Sequence, residues 1–227
     1  MYRKLLFFVF IILNIIQVFS LDIKITHSNK YSGYDEHSHG IYDVCYVGSL
    51  GISEYVAYTL TKVEAVESER NKNRTNNFRS CPLLQNKSYI TINSTKSDYK
   101  NSGYDKGHLC PNNDRDFDVQ SASLTFLMCN MTPQTHLMNA GNWKNLEDYG
   151  HELAKKYGKI DIVSGPIFTN ENIKTIGKGV AVPDSFYKIF YNKENNFLEC
   201  YTVTQSNVQQ SVTLGKIKKL TGIKFTL

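Results

Sequence analysis

Asp105-Lys106-Gly107-His108 sets an imidazole, able to take a proton near neutral pH, close to a cation able to hold a phosphate. Farther along, Asn139 and Glu147 offer oxygen donors, which suit hard ions such as Mg²⁺ or Ca²⁺ and do not suit zinc. One general base, one oxygen-ligated metal and a neighbouring cation together fit hydrolysis of a phosphodiester. In that chemistry the base activates water while the metal neutralises charge on the phosphoryl and leaving oxygens. No Ser or Cys nucleophile is required. Gly107 beside the base reads as a place where backbone must approach the phosphate without a side chain in the way. Between these stretches lies a second polar cluster, Asn130-Met131-Thr132-Pro133-Gln134.

The spelling of the three pieces resembles the DNA/RNA non-specific endonuclease family, the ββα-metal nucleases of the endonuclease G type. That family reads D-R-G-H, then S-N-x-x-P-Q, then N-x-x-x-W-x-x-L-E. Here the corresponding residues are Asp105-Lys106-Gly107-His108, Cys129-Asn130-Met131-Thr132-Pro133-Gln134, and Asn139 through Trp143 to Leu146-Glu147. Flanking stretches match as well, among them Ser164-Gly165-Pro166-Ile167-Phe168 and Val182 to Lys188. The resemblance implies that His108 is the general base and that Asn139 is the direct protein ligand of a mostly water-coordinated Mg²⁺, or of a similar ion such as Mn²⁺. It further implies that Glu147 holds metal-bound waters, that Asp105 orients the turn, that Lys106 contacts the phosphate, and that Asn130 supports the catalytic centre. The family carries a basic residue two places before an aromatic; with Phe78 as the aromatic, that place holds Asn76, so Arg74 and Arg79 are the substitutes for phosphate binding. His151 stands where the family often has Arg, as a phosphate-binding cation when protonated. The expected substrates are DNA and RNA, and the expected products 5′-phosphorylated. Two other readings fit the same residues: a catalytically inactive relative that binds nucleic acid, and a metal phosphoesterase of small substrates.

Positioning such a site calls for a single α+β domain over residues 41–227, a mostly antiparallel sheet with helices packed on it, in the ββα-metal nuclease manner. Alternation over Ile41–Val47 and the run Glu54–Thr61 predict a hairpin. Lys62–Asn77 is charged and lacks an apolar face, which reads as a loop. Tyr89–Ile92 reads as a short edge strand, and Tyr104–Pro111 as the strand and turn that present His108. Trp143, Leu146, Leu153 and Tyr157 recur at helical spacing, with Gly150 on the same stripe and Gly158 closing the end, so Asn142–Gly158 is the clearest helix. Strands are expected around 160–163, 180–182, 186–191 and 198–203, a weak helix over 212–220, and a plain turn at Gly177-Lys178-Gly179.

Residues 1–20 have a basic start and an apolar run, which reads as a secretory signal peptide; a membrane anchor through residues 5–19 is the alternative. Removing them takes the net charge from +5 to +3, compatible with a polyanionic substrate but no argument for one. Residues 21–40 carry His27, His37 and His39 without periodicity and read as a solvated amino-terminal arm, not a metal site. The five cysteines, in an oxidising compartment, suggest up to two disulfides. No C-x-x-C occurs, which argues against structural zinc. A homodimer is left open.

Overall fold

The computed structural model describes residues 21–70 and 73–227, so the leader reading falls outside the described residues. In chain order the elements are β1 (Lys24–Thr26), β2 (Tyr34–Ser38), β3 (Asp43–Val47), β4 (Ile52–Thr61), α1 (Lys62–Arg70), β5 (Asp105–His108), α2 (Val119–Leu124), β6 (Met131–Gln134), α3 (His136–Met138) and α4 (Lys144–Tyr157). They continue with β7 (Lys159–Ile167), β8 (Thr175–Ile176), β9 (Val180–Ala181), β10 (Ser185–Asn192), β11 (Phe197–Thr204), β12 (Gln209–Val212), α5 (Leu214–Thr221) and β13 (Lys224–Thr226).

Seven strands form one sheet in the order β12-β11-β10-β7-β4-β3-β2, with every neighbouring pair antiparallel. Alternate residues face opposite layers, as the strand period requires. On one face Val44, Tyr46, Tyr58, Ile162, Phe186 and Phe190 meet Trp143, Leu146 and Leu153 of the α4 side. On the other, Cys45, Ala57, Val163, Tyr187 and Ile189 meet Ile217 of α5 with Ile223 and Phe225. Burying each large apolar chain of α4 contributes about 1.5–3 kcal/mol, which is what fixes the helix on the sheet. Gly150 lies against Ile162 and Phe190 at near-contact distance, and Gly158 ends the helix at a φ of +86°. The site hairpin is a separate two-stranded ribbon, β5 with β6, in which Asp105 faces Gln134 and His108 faces Met131. Gly177-Lys178-Gly179 is the turn between β8 and β9, as expected.

Several expectations are corrected. The first residues past 20 are not a solvated arm: β1 pairs with β13 and β2 forms the sheet edge on β3. The pattern hides this strand because its buried residue is an acid, Asp35, satisfied by Lys87, Tyr89 and His37. Lys62–Arg70 is a helix, not a loop. It is held by a reciprocal cap, Thr61 with Glu64, by buried Ala65 and Ser68, and by ion pairs from Glu64 to Arg115 and from Glu69 to Lys155 of α4. Tyr89–Ile92 forms no strand; Ile92 donates to the Gly48 carbonyl at 2.8 Å instead. All five cysteines are buried free thiols, so the expected disulfides are not formed. Among the described residues no helix is long and apolar enough to cross a membrane.

Candidate active site

A polar pocket of about 350 Å³ opens between the end of β5 and the start of α4, lined by Arg74, His108, Pro111, Asn112, Asn113, Asn139, Lys144, Glu147 and Asp148. His108 closes the β5 strand, and its backbone carbonyl accepts a hydrogen bond from the buried Trp143 indole at 3.0 Å. Strand and helix are therefore locked together at the two residues between which the pocket lies. The His108 ring packs edge-on against Phe126, with centroids 5.1 Å apart. Its Nε2 is buried without a partner among the described residues. Burial, then the positive charges of Arg74 and Lys106, push the imidazole down to about 3, so it stands neutral with a lone pair available.

Asn139 follows α3 and begins a wide turn, Asn139–Trp143, that leads into α4. Gly141 leaves helical backbone there, and the turn is pinned by Asn207, which bonds Asn142 twice at 2.7 Å. The Asn139 side-chain nitrogen donates to Asp105 at 3.0 Å, and His136 meets the same carboxylate oxygen at 2.9 Å. With its nitrogen engaged, Asn139 has its carbonyl oxygen left for a cation. Glu147, one turn into α4, makes no hydrogen bond to a described residue. Burial, aided by Asp114 and Asp148 and opposed by Lys188, pushes its carboxyl up to about 7. A half-buried acid without a partner, beside a free amide oxygen, fits a hard divalent cation and its waters.

Lys106 lies on the same strand face as His108, its ammonium 4.8 Å from the centre of the Phe78 ring; it does not line the pocket. Arg74 does line it, with its guanidinium 5.2 Å from the Phe126 ring centre. Arg79 does not line the pocket and instead donates to the Ser123 carbonyl at 2.7 Å. His151 also misses the pocket. It is 3% exposed and holds Asp114 through Nε2 at 2.8 Å, while Tyr58 donates to the other Asp114 oxygen at 2.6 Å. Glu147 and His151 share a helix face, yet one faces the pocket and the other ends in a buried network.

Asn130 is fully buried. Its amide accepts from Cys110 N and donates to the carbonyls of Cys110 and Thr125, all at 2.8 Å. It positions the strand end two residues past His108 and does not meet the pocket. Gly107 has a different reason from the one expected. A Cβ there would lie 2.1 Å from the buried Gln134 side chain, so the glycine serves packing between β5 and β6, not approach of a phosphate. Two residues escaped the sequence reading. Lys188 on β10 is 1% exposed, has no hydrogen-bond partner for its ammonium among the described residues, and has that ammonium 4.3 Å from the Trp143 ring centre. Burial holds its pKa down against the pull of Glu147 and Asp114. Asp114 is the other, and no motif spelled it out.

Residues 23–226 match the family model of the DNA/RNA non-specific endonucleases. The chain belongs to that family. Among relatives of this endonuclease-family chain, a Nostoc nuclease is 38% identical over 149 residues, covering 65% of this chain and 51% of the relative. Human mitochondrial endonuclease G is 30% identical over 122 residues, 49% of this chain and 41% of the relative. The chain thus spans about half the length of these curated relatives or less. A chain of the solved EndoG/EndoGI complex superposes with a TM-score of 0.73 at 22% identity, covering 83% of this chain and 84% of that one. That likeness is one of fold, and it agrees with the α+β, ββα-metal nuclease architecture expected of the sequence.

Proposed function

We propose that this chain is a metal-dependent endonuclease that hydrolyses phosphodiester bonds of DNA and RNA, leaving 5′-phosphates. The observation that carries the reading is that Arg74, His108, Asn139 and Glu147, from three separate segments, line one polar pocket. His108 accepts the proton of the attacking water. Its basicity is low first because it is buried and then because Arg74 and Lys106 stand near it. A phosphate neutralised by those cations opposes their field and raises the imidazole toward the range where a general base works. Asn139, oriented by Asp105, would hold the cation through its carbonyl oxygen, and Glu147 would take up water beside it. The cation, Mg²⁺ or Mn²⁺, supplies charge neutralisation at the phosphoryl and leaving oxygens. Contacts of this kind reach phosphate and carry no base information, which accounts for cleavage without sequence preference.

The test is cleavage of plasmid DNA and of RNA in Mg²⁺, with and without excess EDTA, beside nitrophenyl phosphomonoester and phosphodiester controls. Polymer cleavage that stops in EDTA and returns with Mg²⁺ is expected. Undiminished cleavage in EDTA, or turnover of the small esters alone, would overturn the reading.

A further inference from the structure

His37 at the sheet edge, His39 just beyond it, Cys81 and Cys129 bring four ligand atoms within 4.8 Å of one another. None of the four lines the active-site pocket. Cys81 Sγ lies 3.6 Å from His37 Nε2 and 3.5 Å from His39 Nε2, and Cys129 Sγ lies 3.4 Å from His39 Nε2. Zinc bonds of about 2.3 Å to sulfur and about 2.0–2.1 Å to nitrogen, at tetrahedral angles, require sulfur-to-nitrogen edges of about 3.6 Å. The three measured edges are of that length.

We propose that these four residues form a structural zinc site of the Cys₂His₂ type. Its ligands are too far apart in the chain for any short cysteine spacing to reveal it, so the expectation drawn from the absence of C-x-x-C fails here.

Three further observations support it. His37 has its other nitrogen, Nδ1, against Asp35 at 2.7 Å, the carboxylate-to-histidine contact that orients a metal-binding imidazole and leaves Nε2 free for the ion. Asp35 is itself fixed by Lys87 at 2.5 Å and Tyr89 at 2.6 Å. Both cysteines are fully buried, and two thiolates neutralise a divalent ion, so the occupied centre carries no net charge into the interior. Thiolate and imidazole donors select zinc over the Mg²⁺ that suits the oxygen-lined pocket. Four protein ligands leave no open position, which makes the site structural, not catalytic. It would tie β2, the segment before the short turn Pro82–Leu84, and the turn Met128–Asn130 into one unit. Cys129 directly precedes Asn130, the clamp on Cys110, so the zinc would brace the rear of the active site.

The test reads metal, not activity, and is independent of what the chain cleaves. The full chain, purified under reducing conditions without chelator, should retain one zinc per chain by elemental analysis, undiminished by excess Mg²⁺. Cys81→Ser and Cys129→Ser should lose it, while Cys45→Ser and Cys200→Ser, also buried but outside the cluster, should keep it. Because the first two variants can misfold, metal-free wild-type protein titrated with Co²⁺ provides the second measurement. Intense visible bands of a tetrahedral ion with sulfur-to-cobalt charge transfer are expected. Folded wild-type protein that binds neither zinc nor cobalt overturns the proposal. So does a Cys81–Cys129 disulfide in the native protein, or full zinc retention by Cys81→Ser.

Discussion

Gly107→Ala separates the two explanations for the glycine beside His108, the proposed base. The added Cβ would lie 2.1 Å from Cδ and Oε1 of Gln134 and must reach at least 3.4 Å for ordinary contact. Gln134 is fully buried, and its strand is hydrogen-bonded to that of Gly107, so neither the side chain nor the backbone has an easy way out. Overpacking of this kind costs about 1–3 kcal/mol, and a clash with so little relief belongs at the upper end. In a domain of this size each kcal/mol lowers the melting midpoint by about 2–4 °C, so a fall of about 6–12 °C is expected by circular dichroism. Gln134→Ala removes the obstacle. Gly107→Ala with Gln134→Ala should then be less destabilised than the two single changes added together, by about 0.5–3 kcal/mol. Plasmid cleavage below both midpoints should recover in the double variant relative to Gly107→Ala. If Gly107 instead leaves room for a phosphate, the single changes add and the double variant stays as inactive as Gly107→Ala. An additive cycle, or an unchanged midpoint for Gly107→Ala, refutes the packing argument.

His108→Ala should lose roughly 10²–10⁴-fold in cleavage rate with an unchanged melting curve, and parental cleavage would remove His108 as the base. For Glu147 the folded-state pKa, about 7, lies above the ordinary glutamate value of 4.5. Its contribution to stability is therefore complete below the unfolded pKa and is lost as pH rises through the folded one. In EDTA, wild-type melting temperature should fall between about pH 4.5 and 7 more steeply than that of Glu147→Gln; parallel profiles would contradict the burial argument. Lys106→Ala should impair cleavage and Lys106→Arg should not, at two salt concentrations; if Ala equals the parent at both, Lys106 contacts no phosphate. His151→Ala should destabilise by about 3–5 kcal/mol in urea, because Asp114 loses its buried partner, with KM for DNA unchanged. A raised KM at intact stability would return His151 to the substrate.

The sequence was legible wherever one residue type admits one job. The α4 stripe, the β3–β4 hairpin and the strands β7, β10 and β11 follow from period alone, and the three short motifs do converge on one place in the fold. What stayed hidden was set by polar burial. β2 turns an aspartate inward, and α1 is held by a cap and ion pairs in place of an apolar face, so neither has a hydrophobic period to read. The site residues divide the same way. His108, Asn139 and Glu147 could be named from chemistry, and they do line the pocket. His151 and Arg79 were chosen for charge, and their charge is spent on Asp114 and on the Ser123 carbonyl. Lys188 and Asp114 gave no signal, because a lysine in a strand and an aspartate in a polar turn are ordinary until they prove to be buried.

That buried pair explains why the pocket should need a cation. Glu147 is drawn toward ionisation by Lys188 but away from it by burial and by Asp114, and the outcome is a carboxyl balanced near neutrality. Lys188 is in turn held below its ordinary value by burial, so it supplies less positive charge than a solvated lysine would. Asp114 already meets His151 and Tyr58, and Lys144 at the pocket is paired with Asp148, so Glu147 is left with the pull of a weakened Lys188. On the proposed mechanism an ion held beside Asn139 would supply positive charge and favour the ionised form of Glu147. The raised pKa of Glu147 sets a proton against that ion, so on the proposed mechanism ion binding would release a proton and tighten as pH rises through about 7.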